Sequence, residues 1–178
     1  MVAEGVSIVL LRGINVGGGN KVRMAELREA LEAAGFSGAR TYIQTGNIVV
    51  DAAPTPALGA AVAEVLRDSF SVDVPVVVVG GPELAAMRDG LPFDGPGDKV
   101  AFAFFIAPDG AKIANIPKLL EVATDGEDAV LHPLAVMLAL PNGQGRSKMA
   151  DELERRLGTP VTVRNLRSVE RILAMAAE

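Results

Sequence analysis

Apolar residues alternate between strand-like and helix-like spacing along the chain, and this pattern predicts an order of elements. The first half contains predicted strands at 6–11, 39–44, 47–50 and 74–79 and predicted helices at 24–34 and 57–70. A tight turn at Thr45-Gly46 joins the second strand to the third. The order is strand, helix, strand, strand, helix, strand, which is the order of a ferredoxin-like unit.

The second half repeats this order with additions. A short helix at 82–88 leads into the Gly/Pro-rich stretch GLPFDGPGDK, which we interpret as a linker. Strands at 100–106, 129–131, 135–140 and 161–163 and helices at 113–122, 148–157 and 166–176 follow. We therefore predict an α+β protein of two ferredoxin-like (βαββαβ) units packed together, the second degraded and carrying an extra C-terminal helix. The predicted domains are 1–90 and 91–178.

Composition excludes several kinds of chemistry. The 178 residues include no cysteine, no tryptophan, one histidine (His132) and one tyrosine (Tyr42). A thiol nucleophile, a thiolate zinc site and a site with several imidazoles are therefore excluded, and we predict no metal site. No residue pattern identifies a catalytic group, so the sequence leaves open whether the protein is an enzyme and which cofactor it would use.

The distribution of charge is more informative than its sum. The net charge of −5 argues against general nucleic-acid binding, which depends on neutralising phosphates. Residues 12–28 nevertheless hold four bases against one acid, and residues 143–171 hold seven against four, whereas 51–128 hold thirteen acids against five bases. The two basic segments could attract an anionic small molecule, or they could be solvated helix faces.

The start of the chain and its apolar runs bear on location and assembly. The N-terminal apolar run is too short for a signal peptide, and no run approaches the length of a membrane span, so we expect a cytoplasmic protein that does not engage a membrane. An apolar content of 49% with few aromatic residues is high. We interpret that excess as an aliphatic core together with a possible homodimer interface.

The loop after the first predicted strand is the first candidate site. Its stretch Arg12-Gly-Ile-Asn-Val-Gly-Gly-Gly-Asn-Lys21 fits neither the mononucleotide nor the dinucleotide glycine pattern. Glycines between a strand and a helix still allow close approach of the backbone to a ligand. We predict ligand contacts from a set of polar and glycine residues in this loop: Arg12, Asn15, Gly17, Gly18 and Lys21. The alternative is a flexible or packing loop.

The predicted topology places the hairpin TYIQTGN next to the loop after the first strand. In a ferredoxin-like unit the first and second strands run the same way, so the loop after strand one and the hairpin after strand two emerge together. Gln44 and Asn47 are therefore expected near Arg12, Asn15 and Lys21. Their amides could bind a carboxylate, a phosphate or a base edge, or Asn47 could simply stabilise the turn.

The second half offers a comparable convergence at the opposite end. The segment PNGQGRSK and the residues after the last strand should meet, which predicts an anion site at Arg146, Lys148, Arg164 and Asn165. Ser147 and Asn165 also have the positions of helix N-caps, and capping is the simpler role for both. Positive charge beside helix N-termini opposes the helix dipole unless an anion is present, which is the physical reason to suspect a ligand.

The motifs LLRGINVGG, MAELR, TYIQTGN, LPNGQGRSKM and PVTVRNLRSV together resemble a bacterial family known as domain of unknown function sixteen ninety-seven. The resemblance spans nearly the whole chain in one collinear order. It implies a cytosolic α+β protein built of ferredoxin-like halves, and it implies no reaction. The family's last motif usually reads Thr-Arg-Asn-Trp, whereas this chain has leucine at 166, so an aromatic platform for stacking a base is missing there.

Two functional hypotheses follow from the sequence. The first is binding of an anionic small molecule, such as a nucleotide or a phosphorylated metabolite, through one or both basic segments. The second is a non-catalytic homodimeric or protein-interaction module whose glycine-rich motifs only shape loops.

Overall fold

The computed structural model describes residues 2–178 and divides them into two compact units. The first unit contains the residues up to Asp89 together with Glu170–Glu178, and the second contains Gly90–Val169. Residues 170–178 thus group with the first unit, whereas the predicted second domain runs to the end of the chain. Within residues 2–178, each helix is too short or too polar to span a lipid bilayer.

The first unit is built on a four-stranded antiparallel sheet with strand order β2-β3-β1-β4. In chain order its elements are β1 (Ser7–Leu11), α1 (Met24–Ala33), β2 (Arg40–Tyr42), β3 (Asn47–Val50), α2 (Pro56–Phe70), β4 (Val76–Gly80) and α3 (Gly81–Asp89).

One face of this sheet packs against α1 and α2. Val9 and Leu11 of β1 join this core, because alternate side chains of a strand point to the same face. The helices contribute residues three or four positions apart, namely Leu27, Leu31, Leu58, Val62 and Leu66. The intervening residues Ile8 and Leu10 are buried as well. Burial on both sides explains why this strand is apolar throughout rather than alternating.

The second unit contains a sheet of the same kind, with strand order β6-β7-β5-β8. Its elements are β5 (Val100–Phe105), α4 (Gly110–Ile113), α5 (Ile116–Leu120), β6 (Asp128–Leu131), β7 (Ala135–Ala139), a 3-10 turn (Gln144–Arg146), α6 (Lys148–Asp151), α7 (Leu153–Leu157), β8 (Val161–Asn165) and α8 (Leu166–Ala176). The last helix begins in this unit, and its residues from Glu170 group with the first. The two antiparallel sheets with their helices confirm the predicted α+β class.

The predicted helix at 113–122 is wrong, because two short helices take its place. The amide of Asn115 donates to the carbonyl of Leu157 at 3.1 Å instead of continuing α4. Its side chain then caps α5 by accepting a hydrogen bond from the amide of Lys118 at 3.0 Å. Pro117 occupies the first turn of α5, where its missing N–H costs nothing. The predicted helix at 148–157 is likewise interrupted, at Glu152 between α6 and α7.

The predicted tight turn at Thr45-Gly46 is also wrong, because the turn contains four residues. Tyr42 pairs with Asn47, which leaves residues 43–46 between β2 and β3. Ile43 adopts a left-handed backbone with φ of 49°, and the carbonyl of Gly46 accepts a hydrogen bond from the amide of Leu11 at 2.8 Å. The conformation of the turn therefore depends on its hydrogen bond to β1, which the local turn preferences of the sequence do not include.

Candidate functional site

The loop after β1 and the turn after β2 meet at one end of the first sheet. β1 and β2 are both antiparallel to β3, so they run in the same direction and their following segments emerge together. The Nδ2 atom of Asn15 donates to the carbonyl of Gln44 at 2.8 Å and to the carbonyl of Val22 at 2.8 Å. This contact confirms the predicted convergence of the loop and the hairpin.

Asn15 holds the loop in shape. In addition to its two donated bonds, its Oδ1 atom accepts a hydrogen bond from the amide of Val22 at 2.9 Å. Its backbone has a φ of 55°, in the left-handed region that asparagine tolerates better than most residues. Asn20 adds a weaker tie, from its Nδ2 to the carbonyl of Gly13 at 3.1 Å. The polar atoms of Asn15 are therefore engaged with the backbone of this chain.

These segments enclose an open depression of about 630 Å³ beside the start of α1. We call it the α1 depression. Its lining residues come from the loop, the first turn of α1 and the β2–β3 turn, namely Asn15, Gly18, Lys21, Val22, Arg23, Glu26 and Gln44. Four of the predicted site residues are in this set.

The charge of the α1 depression is positive. Lys21 is exposed, and its ammonium forms no ion pair within the described chain. Arg23 pairs with Glu26 at 3.0 Å, but both side chains are mostly exposed, so water screens the pair. In the part of the chain that the structure describes, no side chain caps the N-terminus of α1. Its first amides add to the positive potential.

The other residues predicted for this site are placed differently. Asn47 is 1% exposed, and its Nδ2 donates to the carbonyl of Tyr42 at 3.1 Å and to Oγ1 of Thr45 at 3.0 Å. Stabilisation of the turn, the alternative role for Asn47, is thereby confirmed. Arg12 is half-buried, and its backbone amide donates to the carbonyl of Pro75 at 3.1 Å. Gly17 is exposed in the loop but does not line the depression.

Arg23 and Glu26 also line the α1 depression, although neither was among the predicted site residues. A usable signal was present, because Arg23 belongs to the basic segment 12–28 and immediately precedes the predicted helix. The first turn of a helix that follows a loop faces the same space as the loop. Within residues 2–178, no group of three or more histidine, aspartate or glutamate side chains is arranged to hold a metal ion.

In the second unit, two residues at the predicted site cap helices. Oγ of Ser147 accepts a hydrogen bond from the amide of Ala150 at 3.0 Å, and Oδ1 of Asn165 accepts one from the amide of Ser168 at 2.9 Å. The capping role considered for both residues is confirmed. Arg146 and Lys148 are exposed on either side of Ser147.

Arg164 lies inside the second sheet. It is 8% exposed, and its Nη1 donates to Oγ1 of Thr162 at 3.0 Å and to the carbonyl of Val163 at 2.8 Å. Burial lowers the pKa of Arg164 to about 10, because the charged guanidinium loses solvation. It therefore stays protonated at neutral pH, but its geometry favours a structural role over contact with a ligand from solvent.

The electrostatic conflict at the start of α8 is relieved by the chain itself. The amide of Arg167 donates to the carbonyl of Gly97 at 2.9 Å, and its guanidinium lies 3.7 Å from a carboxylate oxygen of Asp98. With the cap from Asn165 to the amide of Ser168, these contacts satisfy two of the first amides of α8, and Asp98 offsets the local positive charge. These contacts remove the reason to expect an anion at the start of α8, whereas Arg146 and Lys148 beside the start of α6 keep it as a prediction.

A second depression, of about 640 Å³, lies between α3 and the end of α8 within the first unit. Its lining is mostly apolar and includes Ala85, Ala86 and Leu173. The charged residues at its rim include Arg88 and Asp89, which pair with each other at 2.5 Å. It lacks the converging polar groups that orient a small ligand within the described residues.

Comparisons with known proteins place the chain in a family. The family model described as "Protein of unknown function (DUF1697)" matches residues 6–133, a span that contains the whole α1 depression. No curated protein matches the chain. The conserved bacterial protein SP0830 from Streptococcus pneumoniae has a similar solved structure, with 24% identity, a TM-score of 0.71 and coverage of 96% of this chain and 98% of that one. That likeness extends the shared fold over both units. The chain therefore belongs to the DUF1697 family of proteins of unknown function.

Proposed function

We propose that the protein binds a small anionic molecule, such as a nucleotide or a phosphorylated metabolite, in the α1 depression. The observation that carries this proposal is the meeting of Lys21 with the amide side chain of Gln44 around an open space beside the start of α1. Lysine offers a point charge to a phosphate, and an amide offers both a donor and an acceptor.

The charges around the depression favour an anion over a cation. Lys21 and Arg23 outnumber Glu26, and the first amides of α1 point their positive ends the same way. All three charged side chains are exposed, so salt screens their attraction to a ligand. Binding should therefore weaken as ionic strength rises.

Gly19 provides a way to test the approach of a ligand to the loop backbone. Its φ lies outside the left-handed region, and a Cβ built on it would have no neighbour within 4 Å. The chain itself therefore accepts a side chain at position 19. Gly19 does not line the depression but follows the lining residue Gly18, so a side chain at position 19 would hinder a ligand that extends from the depression over the loop.

The experiment is a thermal-shift screen of nucleotides and sugar phosphates against the full chain. A binding compound should raise the melting temperature, and Lys21→Gln should remove that rise. Lys112→Gln, which changes an exposed lysine of α4 in the second unit, is the matched control and should keep it. Gly19→Val should lose the rise without lowering the melting temperature of the free protein. Absence of any rise, or a rise unaffected by Lys21→Gln, contradicts the proposal.

We also infer that each unit has the ferredoxin-like topology. The support is the strand order β2-β3-β1-β4, its repetition as β6-β7-β5-β8, and the two helices that cover one face of the first sheet. This topology brings the loop after the first strand next to the hairpin after the second, and so creates the α1 depression.

Self-association is the second candidate function, and the edge of β4 favours it. The carbonyl of Pro75 and the amide of Gly81 both bond toward β1, so by alternation Val76 and Val78 direct their backbone groups away from the sheet. This edge is apolar over residues 76–79. At the end of β4 the outward amide of Gly80 donates to Glu83 at 3.1 Å, so the open part of this edge lies at Val76 and Val78. On the edge strand β8, side chains occupy the outward groups farther along the strand, since Glu154 accepts from the amide of Val161 at 2.8 Å and Arg164 donates to the carbonyl of Val163. Such side chains block pairing with another strand.

Antiparallel pairing of β4 with β4 of a second copy would satisfy these groups around a two-fold axis. The test is sedimentation across micromolar concentrations. A concentration-dependent dimer is expected, Val76→Lys should make it monomeric, and Val163→Lys, a half-buried valine of the β8 edge, should leave it dimeric. A wild-type protein that is monomeric throughout contradicts this candidate.

A further inference from the structure

We infer that the ligand of the α1 depression carries an apolar group, aromatic or aliphatic, next to its anionic group; this inference rests on the proposed function. Two exposed apolar residues lie next to lining residues of the depression in the chain, although neither lines it. Among the large apolar residues of the described chain, Val16 at 54% and Ile43 at 49% are the most exposed. Each is the chain neighbour of a lining residue, since Val16 follows Asn15 and Ile43 precedes Gln44.

The hydrogen bond between Asn15 and Gln44 brings the segments that carry Val16 and Ile43 to the same end of the first sheet. At 2.8 Å it joins the residues that directly adjoin Val16 and Ile43, one from the loop and one from the turn. Val16 is further held by the bond from the amide of Gly19 to its carbonyl at 3.4 Å. Ile43 is held by the turn, whose last residue, Gly46, is bonded to β1. Val16 and Ile43 therefore lie at the same end of the sheet as the cationic residues, just outside the lining of the depression, where a ligand that extends beyond Lys21 and Gln44 could cover them.

Exposure of these side chains has a cost in the free protein. Two large aliphatic groups remain in water, and Ile43 is a β-branched residue in the left-handed region, which is sterically unfavourable. Neither side chain belongs to the hydrophobic core of the first unit or to the half-buried residues that pack against it. A ligand group that covers them removes apolar surface from water, which favours binding.

Charge complementarity selects the class of occupant. Lys21 and Arg23 disfavour a cationic apolar molecule, and a fully polar anion would leave Val16 and Ile43 in water. The molecule that satisfies both surfaces is an anion with an attached apolar or aromatic group, such as an aryl phosphate or the base and phosphate of a nucleotide. Burial of about 60 Å² of apolar surface strengthens binding about tenfold.

The experiment compares two probes that carry the same anionic group, methyl phosphate and phenyl phosphate, by titration calorimetry with the full chain. Phenyl phosphate should bind about tenfold more tightly. Val16→Ser and Ile43→Asn should reduce that ratio toward one while the affinity for methyl phosphate stays unchanged. Asparagine suits position 43 because it tolerates a left-handed backbone. Leu131→Ser, at an exposed leucine of the second unit, is the control and should preserve the ratio.

The outcomes separate this inference from the proposed function. Equal affinity for the two probes overturns the inference and leaves anion binding standing. A preference for phenyl phosphate that survives both substitutions also overturns it, because the apolar contact then lies elsewhere. Failure of both probes to bind overturns the proposed function, and the inference with it.

Discussion

The side chain of Asn15 donates a hydrogen bond to the backbone carbonyl of Gln44 at 2.8 Å, across 29 positions of sequence. Through this bond the loop after β1 is attached to the turn after β2. The same side chain closes the loop on itself through Val22, with bonds of 2.8 and 2.9 Å. One asparagine therefore sets both the shape of the α1 depression and the position of its opposite wall.

Removal of the Asn15 side chain should destabilise the protein. Asn15→Gly permits the same left-handed backbone but deletes the bonds to Gln44 and Val22, so we expect a loss of about 1–3 kcal/mol in the free energy of unfolding. Asn20→Gly is the control, since Asn20 also has a positive φ but its side chain makes one exposed bond, to Gly13. Urea denaturation of both variants measures the difference. Equal losses would show that the Asn15 bonds do not secure the loop.

Gly46 should not tolerate a side chain. A Cβ at this position would lie 2.6 Å from Cβ of Leu11, which is buried in the core. Gly38 has a similar φ, 73° against 76°, and its Cβ would come no closer than 3.6 Å to an exposed carboxylate of Asp51. The positive φ destabilises both alanine variants to a similar extent. The clash with Leu11 should therefore lower the free energy of unfolding of Gly46→Ala by about 1–3 kcal/mol more than that of Gly38→Ala. Thermal unfolding compares them, and similar melting temperatures would contradict the close packing of the turn on β1.

Glu152 should make stability depend on acid pH. The hydrogen bond from Arg156 lowers the pKa of Glu152, burial opposes this shift, and the charge of Arg155 adds to it. Because the folded pKa lies below the unfolded one, the stabilisation is present above the ordinary value of 4.5 and is lost as pH falls through the folded pKa. Glu152→Gln should therefore flatten the decline in melting temperature between neutral pH and pH 3. Glu64→Gln, at an exposed residue of α2, should retain the wild-type decline.

Ser147 should matter for stability and Lys148 should not. Ser147 is 1% exposed, and its hydroxyl caps α6 at the amide of Ala150, so Ser147→Ala should cost about 1 kcal/mol. Lys148 is exposed on the adjoining position, and Lys148→Ala should change the free energy of unfolding by less than about 0.5 kcal/mol. Chemical denaturation measures both. A neutral Ser147→Ala would show that the cap does not hold this segment.

Much of the first unit could be predicted from the sequence. The apolar run of β1 and the helical spacing through Leu27, Leu31, Val62 and Leu66 identify buried faces, because burial on a sheet or helix follows a fixed period. The order of these elements, with the direction of β1 and β2, also predicted that the loop and the hairpin converge. Capping by Ser147 and Asn165 was predictable too, since it depends on residues only three positions apart.

The rest depended on contacts between distant parts of the chain. The break between α4 and α5 follows a bond from Asn115 to Leu157, and the four-residue turn at 43–46 follows a bond from Leu11 to Gly46. Neither partner lies within the local window that sets a helix or turn preference. The sequence predicted the charge of Arg164 at an exposed rim, but Arg164 is buried, because its position depends on which side of β8 faces inward.

The sequence by itself determined which residue types are present near the candidate site: glycines, asparagines and basic residues between β1 and α1, and no thiol or imidazole cluster anywhere in the chain. Only the tertiary structure decided which of them keep their polar groups exposed to solvent. The side-chain amides of Asn15 and Asn47 donate hydrogen bonds to backbone carbonyls, Asn165 caps a helix, and Lys21 is exposed to solvent. The physical reason is that a polar side chain becomes available to a ligand only when the folded backbone has not already satisfied it.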